Sequence, residues 1–586
     1  LEGEEVRDWT VRFGIGLLAL VPVLVLSMDH PGPGRSWLGV DAGSSQWGQF
    51  LLSSLVVWGA GWPVLQRAHD SFRTRRYNLF TLPGAGILAA YVFSLLSLGL
   101  SGWWPGAFLL DGEPALFFES AAGITVLALL GPLVEHRVRW WADREADVLG
   151  RPAGLVRAAQ NSRAPVQALA ERTAGVFVPV VASVALLTFL FWLVFGPEPR
   201  LVHALMCAVA VLVIASPCAF VWAAPTTVRV AMGVAARHGI LIRTATVLET
   251  LSHVHTVIFA KTGILTVGRP VVRAVLALGG RTRSGVLATA TAVEQGSGHA
   301  LAAGVCGAVA GPVTPATGVR AEPGAGISGM VKGAEVRVGT REYVEGVIRG
   351  EQPWHLRAEQ DFQEAGMTVL WVSEGNRVAG LLGLADPVRE SAAEALESLR
   401  GLGVDPVMMT GDKPRPAGVV AGRLGIPVVL SEVKPAARAD RVRELRERGG
   451  GVAMVGDGAE DASALAAADV GVSMGVDAVT AVETAGVALI RDDLNLLPDA
   501  VRFGREARRN MRQNLALAGA YNLVAVPVAA GVLYPFTGTL PIPLAAALLM
   551  MACNLAIMGN AFRLRSVFRS GAKPQIGNTE AIRKAG

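Results

Sequence analysis

The sequence predicts a multi-span α-helical membrane protein carrying a large α/β insert built on a doubly wound parallel sheet. Three observations predict it. The 586 residues are 52% hydrophobic yet 17% charged, with mean hydropathy +0.43, too apolar for an ordinary soluble protein and too charged for a pure membrane bundle. Eight apolar runs approach the ~20 residues that cross a hydrocarbon core. Between the sixth and seventh runs, residues 224–512 change character to β-branched runs, Gly-rich turns and amphipathic helices.

The runs fall near 10–28, 50–68, 80–100, 116–136, 174–196, 201–223, 513–533 and 540–560. Arginines gather at alternate ends. Arg67, Arg73, Arg75 and Arg76 follow the second run, and Arg137, Arg139 and Arg144 the fourth. Arg229 and Arg237 follow the sixth, Arg502 to Arg512 precede the seventh, and Arg563 and Arg565 follow the eighth. The other loops carry Asp29, Asp41, Asp111, Glu113 and Glu198. By the positive-inside rule both termini and the large insert are expected in the cytoplasm. A net charge of +5 gives no case for nucleic-acid binding. Cys207, Cys218, Cys306 and Cys553 form no C-x-x-C pair, so neither a disulfide framework nor a structural zinc site is supported. The chain opens at Leu1 without Met or a cleavable signal pattern, and a preceding segment is left open.

Within the insert, Val257-Ile258-Phe259 reads as a short buried strand that opens into Ala260-Lys261-Thr262-Gly263. Strand ends of this kind are where doubly wound domains place their chemistry. Residues 385–404 read as a helix with Ala392, Leu396 and Leu399 on one face, and Val452 to Val455 as a buried strand ending at Gly456-Asp457-Gly458. Strand and helix alternate from 380 to 500, which argues a parallel sheet. Residues 270–379 interrupt it with shorter, Gly-punctuated segments and read as an inserted domain.

The run 257–266 resembles the D-K-T-G-T signature of P-type ATPases, whose Asp accepts the γ-phosphoryl group of ATP. Ala260 stands at the Asp position and Ile264 at the last Thr. Thr410-Gly411-Asp412 is similar to the family's T-G-D, and Gly456-Asp457-Gly458-Ala459-Glu460-Asp461 to its G-D-G-x-N-D. Gly59-Ala60-Gly61-Trp62-Pro63 resembles a family kink near the membrane surface. Met511-Arg512-Gln513-Asn514 and Tyr521-Asn522 match the family's seventh span. In this order, around eight spans, the chain resembles the copper-like, heavy-metal-transporting branch.

The resemblance implies a haloacid-dehalogenase-like phosphorylation domain and an inserted α+β nucleotide-binding domain. It also implies ATP and Mg²⁺ as cofactors, Cu⁺ or a similar soft cation as ligand, and a bacterial plasma membrane. Lys261, Thr262, Thr410, Gly411 and Asp412 would then surround the phosphoryl group, with Asp457 and Asp461 toward Mg²⁺ and Arg438 in place of a family Lys. Arg keeps charge but not the compact geometry of an ammonium. Ser297-Gly298-His299-Ala300 stands for the nucleotide signature Ser-Glu-His-Pro, so His299 remains without its acid. Gly324 and Gly326 belong to the second nucleotide element, Gly324-Ala325-Gly326-Ile327-Ser328-Gly329; a dinucleotide reading of that run lacks a framing βαβ unit.

For the cation, the family's C-P-C becomes Ser216-Pro217-Cys218, which keeps one thiolate. Tyr521, Asn522, Met550 and Cys553 are further ligand candidates, against the bland reading that Met and Cys pack apolar helices well. The family's actuator domain, with its hydrolytic Thr-Gly-Glu loop, belongs between the fourth and fifth spans. Here only Arg137 to Gly175 lies there, and it contains no Thr-Gly-Glu.

The expected partition is spans 1–136, an actuator remnant 137–173, spans 174–223, a phosphorylation domain split as 224–269 and 380–512 around the insert 270–379, spans 513–562, and a tail 563–586. Three readings stay open: a metal- or nucleotide-binding pseudoenzyme, a working ATP-driven copper-type transporter, and a decaying gene product.

Overall fold

The structure, a computed structural model, describes residues 2–28, 42–75, 77–78, 80–100, 102–103, 109–110, 113–147, 165–215, 217–322, 324–345, 353–457, 461–474, 485–540 and 542–570. Two compact units divide the chain. One comprises Leu1–His238, Thr244–Thr246 and Glu506–Gly586; the other comprises Gly239–Arg243 and Val247–Arg505. The units divide at 239 and 505, against the domain boundaries of 224 and 512 expected from composition. The reason is helical continuity: Pro217–Arg237 and Leu496–Ala529 run on past the apolar residues that marked the spans.

In the first unit, five helices among the described residues are long and apolar enough to cross a membrane. They are Glu5–Met28, Thr81–Leu100, Phe118–Val138, Gly175–Phe195 and Pro543–Val567. A sixth span is the pair Gly43–Ala60 and Trp62–Thr74, bent by 63°. Two of the eight expected runs take other forms. The run 201–223 is divided into Arg200–Ile214 and Pro217–Arg237, with Ala215 extended between them. A proline cannot donate to the carbonyl four residues back, and that is enough to break the ladder. The run 513–533 is the apolar end of Leu496–Ala529, whose first half carries the arginines. Two short strands, β1 (Leu109–Leu110) and β2 (Glu113–Pro114), pair antiparallel. Small residues let the helices close. A Cβ at Gly86 would lie 2.7 Å from Val213, and one at Gly123 would lie 2.4 Å from Leu544.

The second unit holds two sheets. The first contains β3 (Ile240–Ile242), β4 (Val254–Ala260), β11 (Asp405–Met409), β12 (Val428–Leu430), β13 (Gly451–Gly456), β14 (Val470–Met474) and β15 (Gly486–Leu489). Its order is β12-β11-β4-β13-β14-β15-β3, parallel except for β3 at one edge. Covered on both faces, β4 reads as a continuous apolar run, and Val257, Ile258 and Phe259 are fully buried. The helix expected at 385–404 spans Glu390–Gly401 and buries Ala392, Ala395, Leu396 and Leu399.

The second sheet contains β5 (Val271–Ala277), β6 (Thr317–Glu322), β7 (Gly326–Val331), β8 (Ala334–Gly339), β9 (Thr368–Glu374) and β10 (Arg377–Ala385), antiparallel in the order β5-β10-β9-β8-β7-β6. Because β10 pairs with β5 as far as Ala385, this sheet continues past the expected boundary at 379. One long strand both closes the insert and returns the chain to the parallel sheet.

Candidate functional site

The parallel sheet brings three loops to one edge. In the order β11-β4-β13, Met409 lies opposite Ala260 and Val455 opposite Phe259. Each strand then ends in its own loop: Thr410-Gly411-Asp412, Lys261-Thr262-Gly263, and Asp457. Residues far apart in sequence meet here because parallel strands in register place all their carboxyl ends on one side.

The loop after β4 is built tightly. Gly263 has φ +79°, a conformation that favours glycine. The amide and hydroxyl of Thr266 both donate to the carbonyl of Lys261 at 3.0 Å. Two residues that pattern reading passed over hold the loop. Asp386 accepts from the Thr266 hydroxyl and from the amides of Gly268 and Arg269, the latter two at 3.1 Å. Arg389, only 9% exposed, donates from Nε to the carbonyl of Ile264 at 3.0 Å and from Nη2 to that of Gly263 at 2.7 Å. Its Nη1 pairs with Asp492 at 2.6 Å. A buried guanidinium satisfying loop carbonyls is a strong device, since charge-assisted hydrogen bonds exceed neutral ones.

The charges at the edge pair with one another. Lys261 is salt-bridged to Asp412. Asp412 also donates its amide to the Thr410 hydroxyl at 3.1 Å, and Thr410 is buried. Arg438, near the start of the helix Pro435–Glu447, is salt-bridged to Asp461. Asp461 is 2% exposed, and its second oxygen accepts the amide of Asp457 at 3.2 Å. Expected beside Asp457 as a cation ligand, Asp461 instead ties the loop after β13 to Arg438. Asp457 is exposed. At the centre Ala260 presents only a methyl group. Residues 458–460, including Glu460, lie outside the described residues.

In the insert, His299 is exposed and caps the helix Ala300–Cys306, its Nδ1 accepting the amide of Leu301 at 3.2 Å. The glycines have conformational reasons of their own. Gly324 has φ +77°, and a Cβ on Gly326 would lie 2.4 Å from the carbonyl of Val338. Glu294, five residues before His299, is a buried acid that reading the motif alone missed. Burial pushes its carboxyl up to about 7, opposed by a hydrogen bond from Ser297.

In the membrane unit, the break after Ile214 leaves that residue's carbonyl outside the helical ladder, and the hydroxyl of Tyr521 donates to it at 3.1 Å. Tyr521 also packs with Cys553, Ala518 and Ile557, so the structure brings Tyr521 and Cys553 together. Met550 is buried, and Asn522 turns its amide back to the carbonyl of Ala518 at 2.8 Å. Next to Cys553 in sequence, the Oδ1 of Asn554 is buried with no hydrogen-bond partner among the described residues. Ser216 and the side chain of Cys218 lie outside the described residues. Among the described residues, no group of three or more His, Cys, Asp or Glu is arranged to hold a metal ion.

A haloacid dehalogenase-like hydrolase family model matches residues 254–469. The chain is 35% identical to the silver exporting P-type ATPase of Salmonella typhimurium, over 96% of this chain and 80% of that one. It is 33% identical to the copper-exporting P-type ATPase of Legionella pneumophila, over 96% and 89%. A zinc-transporting PIB-type ATPase crystallised in the E2.Pi state shares the fold, with TM-score 0.63 at 23% identity, over 94% of this chain and 99% of that one. Likeness of this extent, over almost the whole chain and with the site loops on one sheet edge, means that the chain belongs to the heavy-metal-transporting P-type ATPases.

Proposed function

We propose that this chain is a heavy-metal P-type ATPase scaffold that forms no phosphoenzyme and acts as a membrane pseudoenzyme binding a soft cation of the Cu⁺ class. The observation that carries the proposal is Ala260 at the end of β4. Phosphoryl transfer in this family needs a nucleophile there, and a methyl group has no lone pair to offer.

The surroundings support the reading. A hydrolysable phosphoenzyme also needs a positioned water, and the chain contains no Thr-Gly-Glu. The alignment with the silver exporter runs over 668 positions, longer than the 586 residues of this chain, so the relative carries residues without a counterpart here. The expected place for that loss is near Asp147 to Leu155, between the helices Phe118–Asp147 and Pro165–Phe195, where residues 148–164 lie outside the described residues.

The edge residues do not fit Mg²⁺ as the family would hold it. Asp461 is committed to Arg438 and to the amide of Asp457, Asp412 is committed to Lys261, and position 260 has no carboxylate. A nucleotide site at His299, Gly324 and Gly326 is a weaker part of the proposal, because capping and close packing account for those residues.

The cation reading rests on the sixth-span break. Cys218 follows Pro217 there, and the Tyr521 hydroxyl bonds to the Ile214 carbonyl at the same break. Tyr521, Cys553 and the unpartnered Asn554 Oδ1 supply a phenol, a thiol and an amide oxygen. Thiol and thioether donors favour soft monovalent ions.

Labelling with [γ-³²P]ATP tests the main claim. The expected result is no acid-stable, hydroxylamine-sensitive band with or without Cu⁺ or Ag⁺. Such a band would favour the alternative, a working copper-type transporter as the relatives' names suggest.

A further inference from the structure

We propose that a closed ring of side-chain ties between four membrane helices locks the broken span shut at the end where the chain leaves for the sheet-bearing unit. The inference stands whether or not the chain binds a cation or pumps. It begins with the helix Pro217–Arg237, which follows the break at Ala215 and leads into that unit.

Polar ties join this helix to two others. Thr227 is fully buried, and its hydroxyl donates to Asn510 Oδ1, on the helix Leu496–Ala529, at 2.9 Å. One turn farther along that helix, Asn514 is also fully buried and donates from Nδ2 to the Thr227 hydroxyl at 3.0 Å. The same two asparagines reach the helix Pro543–Phe562. Asn510 Nδ2 donates to the carbonyl of Asn560 at 2.7 Å, and Asn560 Nδ2 donates to Asn514 Oδ1 at 2.8 Å. Arg563 Nη1 in turn donates to Asn560 Oδ1 at 2.8 Å.

The helix Phe118–Asp147 closes the ring at two points. Its Glu135 accepts from Arg229 Nη1 at 2.9 Å, and the Arg229 side chain is only 13% exposed. Residues two apart on a helix face different ways, so Pro217–Arg237 is held by the asparagines at Thr227 and by Phe118–Asp147 at Arg229. Six residues after Glu135, Trp141 carries the Arg565 guanidinium 4.3 Å from its ring centre and meets Phe562 edge-on at 5.1 Å. Phe562 ends the helix Pro543–Phe562, and Arg565 lies in the turn Arg563–Ser570 that follows it. The ties therefore run from Phe118–Asp147 to Pro217–Arg237, on to Leu496–Ala529 and Pro543–Phe562, and back. Hydrogen bonds between membrane helices are individually weak, and a cation over an aromatic ring is a modest attraction. Closure changes the balance. Separating one helix from the rest breaks the ring in two places and leaves buried amides against apolar side chains. To open the broken span at this end, Pro217–Arg237 must part from Phe118–Asp147. The ring opposes that directly through Glu135 and indirectly through Trp141.

The test uses the full chain in nanodiscs. Alkylation of Cys218 by N-ethylmaleimide, mapped by peptide mass spectrometry, reports access to the break. Arg229→Met and Arg565→Gln each cut one of the two ties to Phe118–Asp147, and each is expected to raise the alkylation rate by about threefold at most, since the other tie still holds. Together they are expected to raise it by about twentyfold or more, beyond the product of the single effects. The exchanged pair, Glu135→Arg with Arg229→Glu, keeps the tie and is expected to stay near the wild-type rate. A double variant no faster than the product of the single effects would mean that the ties act independently, and the ring fails. Should the double variant not fold, hydrogen exchange in the wild type decides. Residues 226–237 are expected to be protected at least as strongly as Arg200–Ile214 on the other side of the break, and faster exchange there rejects the lock.

Discussion

The sheet edge around Ala260 and the membrane helix Pro543–Phe562 satisfy their polar groups in opposite ways. At the sheet edge two pairs of charges close on one another, Lys261 with Asp412 and Arg438 with Asp461, while Asp457 stays exposed. On the helix Pro543–Phe562 of the membrane unit, by contrast, Asn554 Oδ1 is buried with no hydrogen-bond partner among the described residues. A water-facing site can neutralise itself with side chains already present. A site inside an apolar bundle has few polar groups from which to build a replacement, so an orphaned donor atom persists there. The comparison teaches that polar groups at the sheet edge find partners among nearby side chains, while in the membrane unit one buried amide oxygen has none among the described residues.

The largest expected effect comes from reopening the sheet edge. Ala260→Asp places a carboxylate next to Lys261 at the end of β4, beside strands whose register is otherwise intact. The wild type is expected to show no phosphoenzyme; the variant is expected to accumulate a slow, stoichiometric one that does not turn over. Each tenfold loss in the hydrolytic step corresponds to about 1.4 kcal/mol of barrier, and a missing water-positioning domain costs several such factors. Steady-state, metal-dependent turnover by the variant would show that the hydrolytic machinery is present after all. Absence of label at saturating ATP would mean that the paired charges close the site even with the nucleophile restored.

Arg389→Leu should be the next largest. It strips donors from the carbonyls of Gly263 and Ile264 and leaves Asp492 without its partner. An orphaned buried acceptor costs about 1–3 kcal/mol, so a loss on the order of 3–5 kcal/mol is expected in the unit that holds the parallel sheet. Thermal scanning of the full chain, following the transition of that unit, checks it. An unchanged midpoint would show that the loop after β4 holds without the clamp.

How far the sequence carries this picture follows from the residues. The strand ends at Ala260, Thr410 and Asp457 were legible, because a buried strand running into a polar turn is a local pattern. The break after Ile214 was foreshadowed by Pro217. Asp386 and Arg389 were not legible: in sequence a charged residue reads as surface, and only the folded loop reveals which carbonyls need a donor. The same blindness hid Glu294. The strand β10 runs across residue 379, since Gly380 and Gly383 punctuate the sequence like a turn but both sit inside a paired strand. A Cβ at Gly380 would lie 2.4 Å from the carbonyl of Leu276, so this glycine marks close approach and not a turn.

Glu294 gives a smaller, pH-dependent effect within the insert. Its folded value of about 7 lies above the ordinary 4.5, so the folded state holds a proton that the unfolded state releases. The associated stability is fully present below pH 4.5 and is lost as pH rises through 7. Glu294→Gln should flatten that slope and raise stability at pH 8 by on the order of 2 kcal/mol. The transition of the unit containing the insert, followed from pH 4.5 to 8 in both proteins, measures it. Parallel curves would mean that Glu294 is solvated in the native state.

The smallest effect bears on the buried amide oxygen of the membrane unit. Asn554→Leu removes the orphaned oxygen and keeps a side chain of similar branched shape. Without a ligand, a buried carbonyl lacking a partner costs about 1–3 kcal/mol, so the metal-free variant is expected to be more stable than the wild type. With Cu⁺ or Ag⁺ present the sign should reverse. If Oδ1 supplies one donor of the cation site, its loss should weaken binding about tenfold, equivalent to about 1.4 kcal/mol. Cys218→Ala should weaken it further, because a thiolate is the stronger donor for a soft ion. Thermal midpoints with and without metal, together with titration calorimetry, separate the two roles. A gain in metal-free stability with unchanged affinity would make Asn554 a packing defect. A gain in stability paired with a loss of affinity is the pattern expected when an atom is left unsatisfied because a ligand completes it.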